Sequence, residues 1–275
     1  ALTEELGLNE PFLVRLLTYL RDVFLRFDMG KSWTTNVEIM PTIFERLPRK
    51  FLLTIVTMLI SFGLGIPLGV VAATHQNRWQ DNLCMLLALI GVSIPNFWLA
   101  MLLVVQFSVK LGWLPPLWSV DGGIACYILP ALAGCMGGLG TCARQTRSSM
   151  LDVIRSDYII TARSKGVPET TVVVKHALKN GLIPIITMMG TTFGRLLGGI
   201  MIIETIFAIP GMGTYVITAV NNRDFPIVQG GTIFLAITFS LCMLVVDLLY
   251  AAVDPRIKAQ YSASSKKRKK VDANG

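Results

Sequence analysis

The chain predicts an all-α fold, a polytopic bundle of transmembrane helices. Three observations carry that prediction. Only 15% of its 275 residues are charged and 53% are hydrophobic, whereas soluble domains carry about 25% charged residues. The apolar residues gather in five stretches holding at most one charge each, and a helix needs roughly 20 apolar residues to cross hydrocarbon. Basic residues are also unequally shared between the connectors on alternate sides of those stretches.

Taken in order, residues 1–44 form an amphipathic segment in which Leu16, Leu17, Leu20, Val23 and Phe24 recur at helical spacing. The five spans follow as Phe51–Ala73, Leu83–Val109, Ile124–Ala143, Leu182–Ile203 and Ile227–Tyr250. Backbone polar groups in lipid must be satisfied within the segment, so these are helices and not strands. Gly63, Gly65, Pro67 and Pro95 lie inside them and mark kinks or breaks. The five cysteines sit in or beside apolar spans without a CxxC pair and read as small packing residues.

Orientation follows from charge. Connectors Thr74–Asn82 and Arg144–Gly181, with the tail from Ala251, hold 15 Lys/Arg and 6 Asp/Glu, net +9. The opposite side holds 9 Lys/Arg and 10 Asp/Glu, net −1. The positive-inside rule places the first set, and the C-terminus, in the cytoplasm. This topology puts residues 1–44 outside and leads to the expectation of a sixth, N-terminal span preceding residue 1, with five spans and an exported N-terminus as the alternative. Residues 252–275 form a basic tail whose Lys266–Lys270 run suits anionic lipid rather than nucleic acid.

The most informative connector is the cytoplasmic loop 144–181. Met150, Leu151 and Ile154 continue the third span as a helix. Asp157–Lys165 forms a short helix with Tyr158, Ile159 and Ala162 at helical spacing, and Gly166 ends it. Pro168 opens a second helix, Glu169–Lys179. A helix, a glycine corner and a helix, joined to two spans, make a unit shaped to transmit force to a partner.

Here the residues carry a resemblance. TARSKG at Thr161–Gly166 resembles the cytoplasmic EAA loop of ABC importer permeases. DYIITARSKG and KHALKNGLIP resemble the B-type permeases of dipeptide, oligopeptide and nickel importers. So do ERLPRKFLLT (Glu45–Thr54), GIPLGVVAA (Gly65–Ala73), ETIFAIPGMG (Glu204–Gly213), RDFPIVQGG (Arg223–Gly231) and VDLLYAAVDPRI (Val246–Ile257). Thr161 replaces the Glu of the general motif and Lys179 its Pro, which puts any role of that Glu in doubt here.

The resemblance implies a type I ABC importer permease fold, with a permease domain over 45–251. It implies a C-type sister permease, two ATP-binding subunits and an external solute-binding protein as partners. Tyr158, Ile159, Thr161, Ala162, Lys165 and Gly166 would then couple the chain to an ATP-binding subunit. The cargo expected is a di- or oligopeptide, with nickel, as a chelate, or another peptide-like solute as the alternative.

MGKSW at Met29–Trp33 invites a P-loop reading, but Leu25 stands where the motif needs Gly, and no strand precedes it. ATP and Mg therefore belong to partner subunits, and the chain is expected to bind no cofactor and to be no enzyme. His75 and His176 are the only histidines, which gives poor support to a metal path. No nucleophile–base set for an intramembrane hydrolase is present.

Arg195 lies about 20 Å from the cytoplasmic end of its span. It is expected to face the translocation path, with snorkelling or a sister-permease contact as alternatives. Asp247 sits about 15 Å shallower, too far for a direct pair. Asn96 either lines the path or bonds backbone freed by Pro95. Glu204, Phe207, Pro210 and Tyr215 belong to an external segment read as a gate or docking surface, or else as a cap of the bundle. A secondary transporter would need ion-coupling groups near the midplane, where only Arg195 is charged.

Overall fold

The computed structural model describes residues 11–253, and side chains as far as residue 248. Residues 254–275, nearly all of the basic tail, and the first ten residues lie outside that range. Every regular element within it is helical. A short helix α1 (Phe12–Leu25) precedes α2 (Ile39–Thr74), joined by a turn in which Lys31 and Glu38 form a single antiparallel bridge. Helix α2 starts 12 residues before the apolar run that predicts it, so the expected 44/45 boundary falls inside a helix.

The long second stretch, Leu83–Val109, is not one span. It folds as α3 (Trp79–Ser93) and α4 (Asn96–Lys110), bent by 98°. Ile94 and Pro95 break it: Pro95 has no N–H to donate and disfavours helical backbone in the residue before it, and both residues are extended. The last turns of α4, from Val104, widen to a π-helix.

Helix α5 (Ala125–Ile154) continues well past its apolar part, as the spacing of Met150, Leu151 and Ile154 predicts. It is followed by α6 (Asp157–Ser164) and α7 (Glu169–Gly181). A 52° bend at Leu182 separates α7 from α8 (Ile183–Gly199), whose first turn takes Pro184 without loss of a hydrogen bond. The fourth stretch also ends early, because the chain breaks at Ile200 before α9 (Met201–Ile206). Helices α10 (Met212–Asn221) and α11 (Phe225–Val253) complete the described chain. Three helices, α2, α5 and α11, are long and apolar enough to span a membrane alone, and the two bent pairs bring the number to five.

Helix α5 is the axis of the bundle: 61% of its apolar window is buried, against 11% for α11. Small residues let α2 and α5 approach closely. A Cβ at Gly69 would lie 2.6 Å from the Ala143 carbonyl oxygen, so only glycine fits there. The middle of the bundle is an apolar cluster of Leu53, Leu129, Ala133, Ile203, Phe207 and their neighbours. Separate clusters close its two ends. Leu86, Leu87 and Leu89 on α3 and Leu241, Leu244 and Leu248 on α11 remain exposed, as helices meeting lipid would be.

Candidate functional site

At one end of the bundle, α6 is anchored by a single deep side chain. Ile159 is fully buried against Met150 of α5, Val172, Val173 and Ala177 of α7, and Ala73 of α2. Ala162 and Val167 pack on the edge of that socket. The exposed face of the same helix carries Tyr158, Ile160 and Thr161, with exposed Lys165 just past its end. Gly166 turns the chain with φ +76°, a left-handed conformation that costs other residues about 1–2 kcal/mol. No atom would meet a Cβ there, so the requirement is conformational and not steric.

Polar ties brace the corner from outside. Arg163 grips Glu169 with two bonds, of 3.0 and 2.6 Å, across the turn. The Arg163 hydrogen bond holds the Glu169 carboxyl below the usual carboxylate range. Asn180 Nδ2 donates to Tyr158 Oη at 2.9 Å, joining the end of α7 to the start of α6. Nearby, Arg147 of α5 clasps buried Asp81 of α3 through Nε at 2.6 Å and Nη2 at 2.7 Å. The corner is thus packed on α2 and α5, and α5 is tied in turn to α3.

The opposite end is built on buried charge. Lys50 of α2 and Glu204 of α9 are 1% and 0% exposed and meet at 3.1 Å. Glu204 also accepts the Gly213 and Thr214 N–H groups at 2.7 and 3.2 Å, at the N-terminus of α10, where the helix dipole favours a carboxylate. Asp224, between α10 and α11, is fully buried too. It accepts the Ser32 hydroxyl, the Thr34 hydroxyl at 2.7 Å and the N–H groups of Trp33 and Thr34. Burial pushes the Asp224 carboxyl up, but these four donors outweigh it and hold it below the ordinary range.

Residues 65–259 match the family described as the binding-protein-dependent transport system inner membrane component. A dipeptide transport system permease of Alkalihalophilus pseudofirmus is 43% identical over 94% of this chain and 85% of its own. The chain belongs to this permease family. A glutathione transport system permease of Salmonella paratyphi A is also 43% identical, over 93% of the chain and 82% of its own. The fold matches a subunit of the MetNI methionine ABC transporter in an inward-facing conformation. The TM-score is 0.66 at 17% identity, covering 78% of this permease and 98% of that chain. The permease is thus a multi-pass membrane protein with the type I importer fold.

The α6 residues named from sequence come together on one short helix and its corner, although the helix itself ends at Ser164. Ile159 belongs to the socket, while Tyr158, Thr161, Lys165 and Gly166 stay exposed. Arg195 and Asn96 are both exposed on the single permease chain. Asn96 is the first residue after the Pro95 break, and its side chain bonds no backbone group among the described residues. Asp247 is exposed, and no ion pair joins it to Arg195.

Of the four residues read as a gate, a docking surface or a cap of the bundle, two are enclosed. Glu204 and Phe207 are 0% and 1% exposed, so neither offers a surface to a docking protein. Glu204 is turned inward by Lys50 and the α10 amides, and Phe207 belongs to the central apolar cluster. Pro210 and Tyr215 are half-buried. Sequence reasoning missed Lys50, Asp81 and the Asp224 cradle because their partners lie 154, 66 and about 190 residues away.

Proposed function

We propose that this permease is one half of the translocation path of an ATP-driven importer of di- and oligopeptides, with α6 as its coupling helix. Dipeptide and glutathione relatives at 43% identity support that cargo class. A nickel chelate or another peptide-like solute is the alternative cargo. The charge asymmetry of the connectors supports a cytoplasmic α6 corner and C-terminus, and an external α1 end. A C-type sister permease supplies the other half of the path. Two ATP-binding subunits carry ATP and Mg, an external solute-binding protein delivers cargo, and this chain performs no bond chemistry and binds no cofactor.

The observation that carries the reading is the division of α6 between a buried anchor and a bare face. Ile159 ties the helix to α2, α5 and α7, while Tyr158, Ile160, Thr161 and Lys165 are left for a partner. Closure of the ATP-binding subunits would push that face, and the socket would pass the displacement to the spans. The bundle then exchanges between inward- and outward-open states of different cargo affinity. Arg195 and Asn96 are proposed to line the path, and Pro210 and Tyr215 to belong to the external gate.

The test is uptake by cells whose only route for a dipeptide is this importer. Gly166→Val forces a β-branched residue into φ +76°, and Ala162→Trp overfills the socket edge. Both should insert normally and abolish uptake; full uptake in both sinks the coupling assignment. Uptake of a nickel chelate but not of the dipeptide by the same cells would favour the alternative cargo.

A further inference from the structure

At the α1 end a cavity of about 320 Å³ opens between residues 34–37, α2, α10 and the start of α11. Arg46, Tyr215, Thr218, Asn222 and Asp224 line it beside the apolar Ile227. The Arg46 guanidinium lies over the Tyr215 ring, 4.7 Å from the centroid. It enters no ion pair among the described residues. A stacked guanidinium still presents its N–H edge, which suits a planar carboxylate.

Asp224 borders the same space but is committed to Ser32, Trp33 and Thr34. It contributes negative field more than a free binding group. That field opposes a dianion such as phosphate and favours a molecule with a positive end. The volume stands at the lower limit of small-molecule pockets, which run from about 300 to 1,000 Å³.

We infer that this cavity binds a small zwitterion, an amino acid or a dipeptide, with its carboxylate on Arg46 and its ammonium toward Asn222 and Asp224. Its role as a receiving site for cargo released at the outer face rests on the importer reading above. The binding itself does not.

The experiment titrates alanyl-leucine into the full chain, co-purified with its partner subunits in lipid nanodiscs without binding protein, and reads saturation-transfer NMR. Saturable binding is expected, weakened about tenfold by amidation of the peptide carboxyl and by Arg46→Gln. In Arg46→Gln the free and amidated peptides should bind alike. Thr218→Trp fills the cavity without touching Arg46, should abolish the signal, and serves if Arg46→Gln does not fold.

Absence of saturable binding, binding that is not weakened by Arg46→Gln or that survives Thr218→Trp, or competition by inorganic phosphate as strong as by dipeptide overturns the site. Dipeptide uptake that persists while binding ignores Arg46 removes the pocket and leaves the importer reading standing. Arg46-dependent binding in a chain that drives no uptake supports the pocket and removes the importer reading.

Discussion

Helix α6 itself is seated by apolar contacts, with Ile159, Met150 and Val172 fully enclosed, the hydrogen bonds of Arg163 and Asn180 at the rim, and the Arg147–Asp81 pair set apart between α5 and α3. At the α1 end the buried ties are charged: Lys50 with Glu204, and Asp224 in its ring of hydroxyl and amide donors. Apolar packing is non-directional and dense, so in the proposed coupling role the corner would transmit displacement as a solid body. Buried ion pairs and hydrogen bonds are directional and depend on both partners, so they fix one arrangement and are lost together when it changes. The first kind of joint suits the lever proposed at α6, and the second would suit a closure that opens.

That contrast can be broken from either side. Glu204→Ala should have the largest effect, because it strands the Lys50 ammonium in the interior at a cost of about 3–5 kcal/mol. Hydrogen exchange of the α9 and α10 amides should accelerate accordingly. Lys50→Met with Glu204→Gln should restore most of the protection; if the double variant is no better than Glu204→Ala, the pair is not what holds this end.

Ile159→Ala should cost about 2–5 kcal/mol by leaving a cavity in the socket, seen as faster proteolysis of the 155–168 corner with the α1 end unchanged. Asp224→Asn should cost about 1–3 kcal/mol by weakening four buried bonds. Because the folded Asp224 pKa is lowered, its contribution is complete above the ordinary Asp value of about 3.9 and fades as pH falls through the lower folded value. Thermal melts should therefore be flat from pH 7 to about 5 and decline below about 4, and Asp224→Asn should remove part of that decline. The smallest effect belongs to Glu169→Gln. Its carboxylate and Arg163 are largely exposed, so the loss should stay below about 1 kcal/mol and vanish in high salt.

The α6 corner was legible in the sequence because its signals are local. Met150, Leu151 and Ile154 share one helix face, Gly166 supplies the left-handed turn, and Pro184 opens α8. The Pro95 break had a local signal as well, but one proline does not encode a 98° bend; packing of α4 against α5 and α9 sets that angle. The charged end was illegible because each tie joins residues far apart in sequence. Counting charge by connector treated Lys50 and Glu204 as solvated, whereas the fold removes both from water.

The central claim is that α6 drives the spans through its socket. Proteoliposomes carrying the assembled importer allow cargo uptake and ATP hydrolysis to be measured together. Ile159→Ala, inserted at normal levels, should lower the cargo moved per ATP hydrolysed by at least about tenfold while hydrolysis continues. An unchanged ratio would contradict the account.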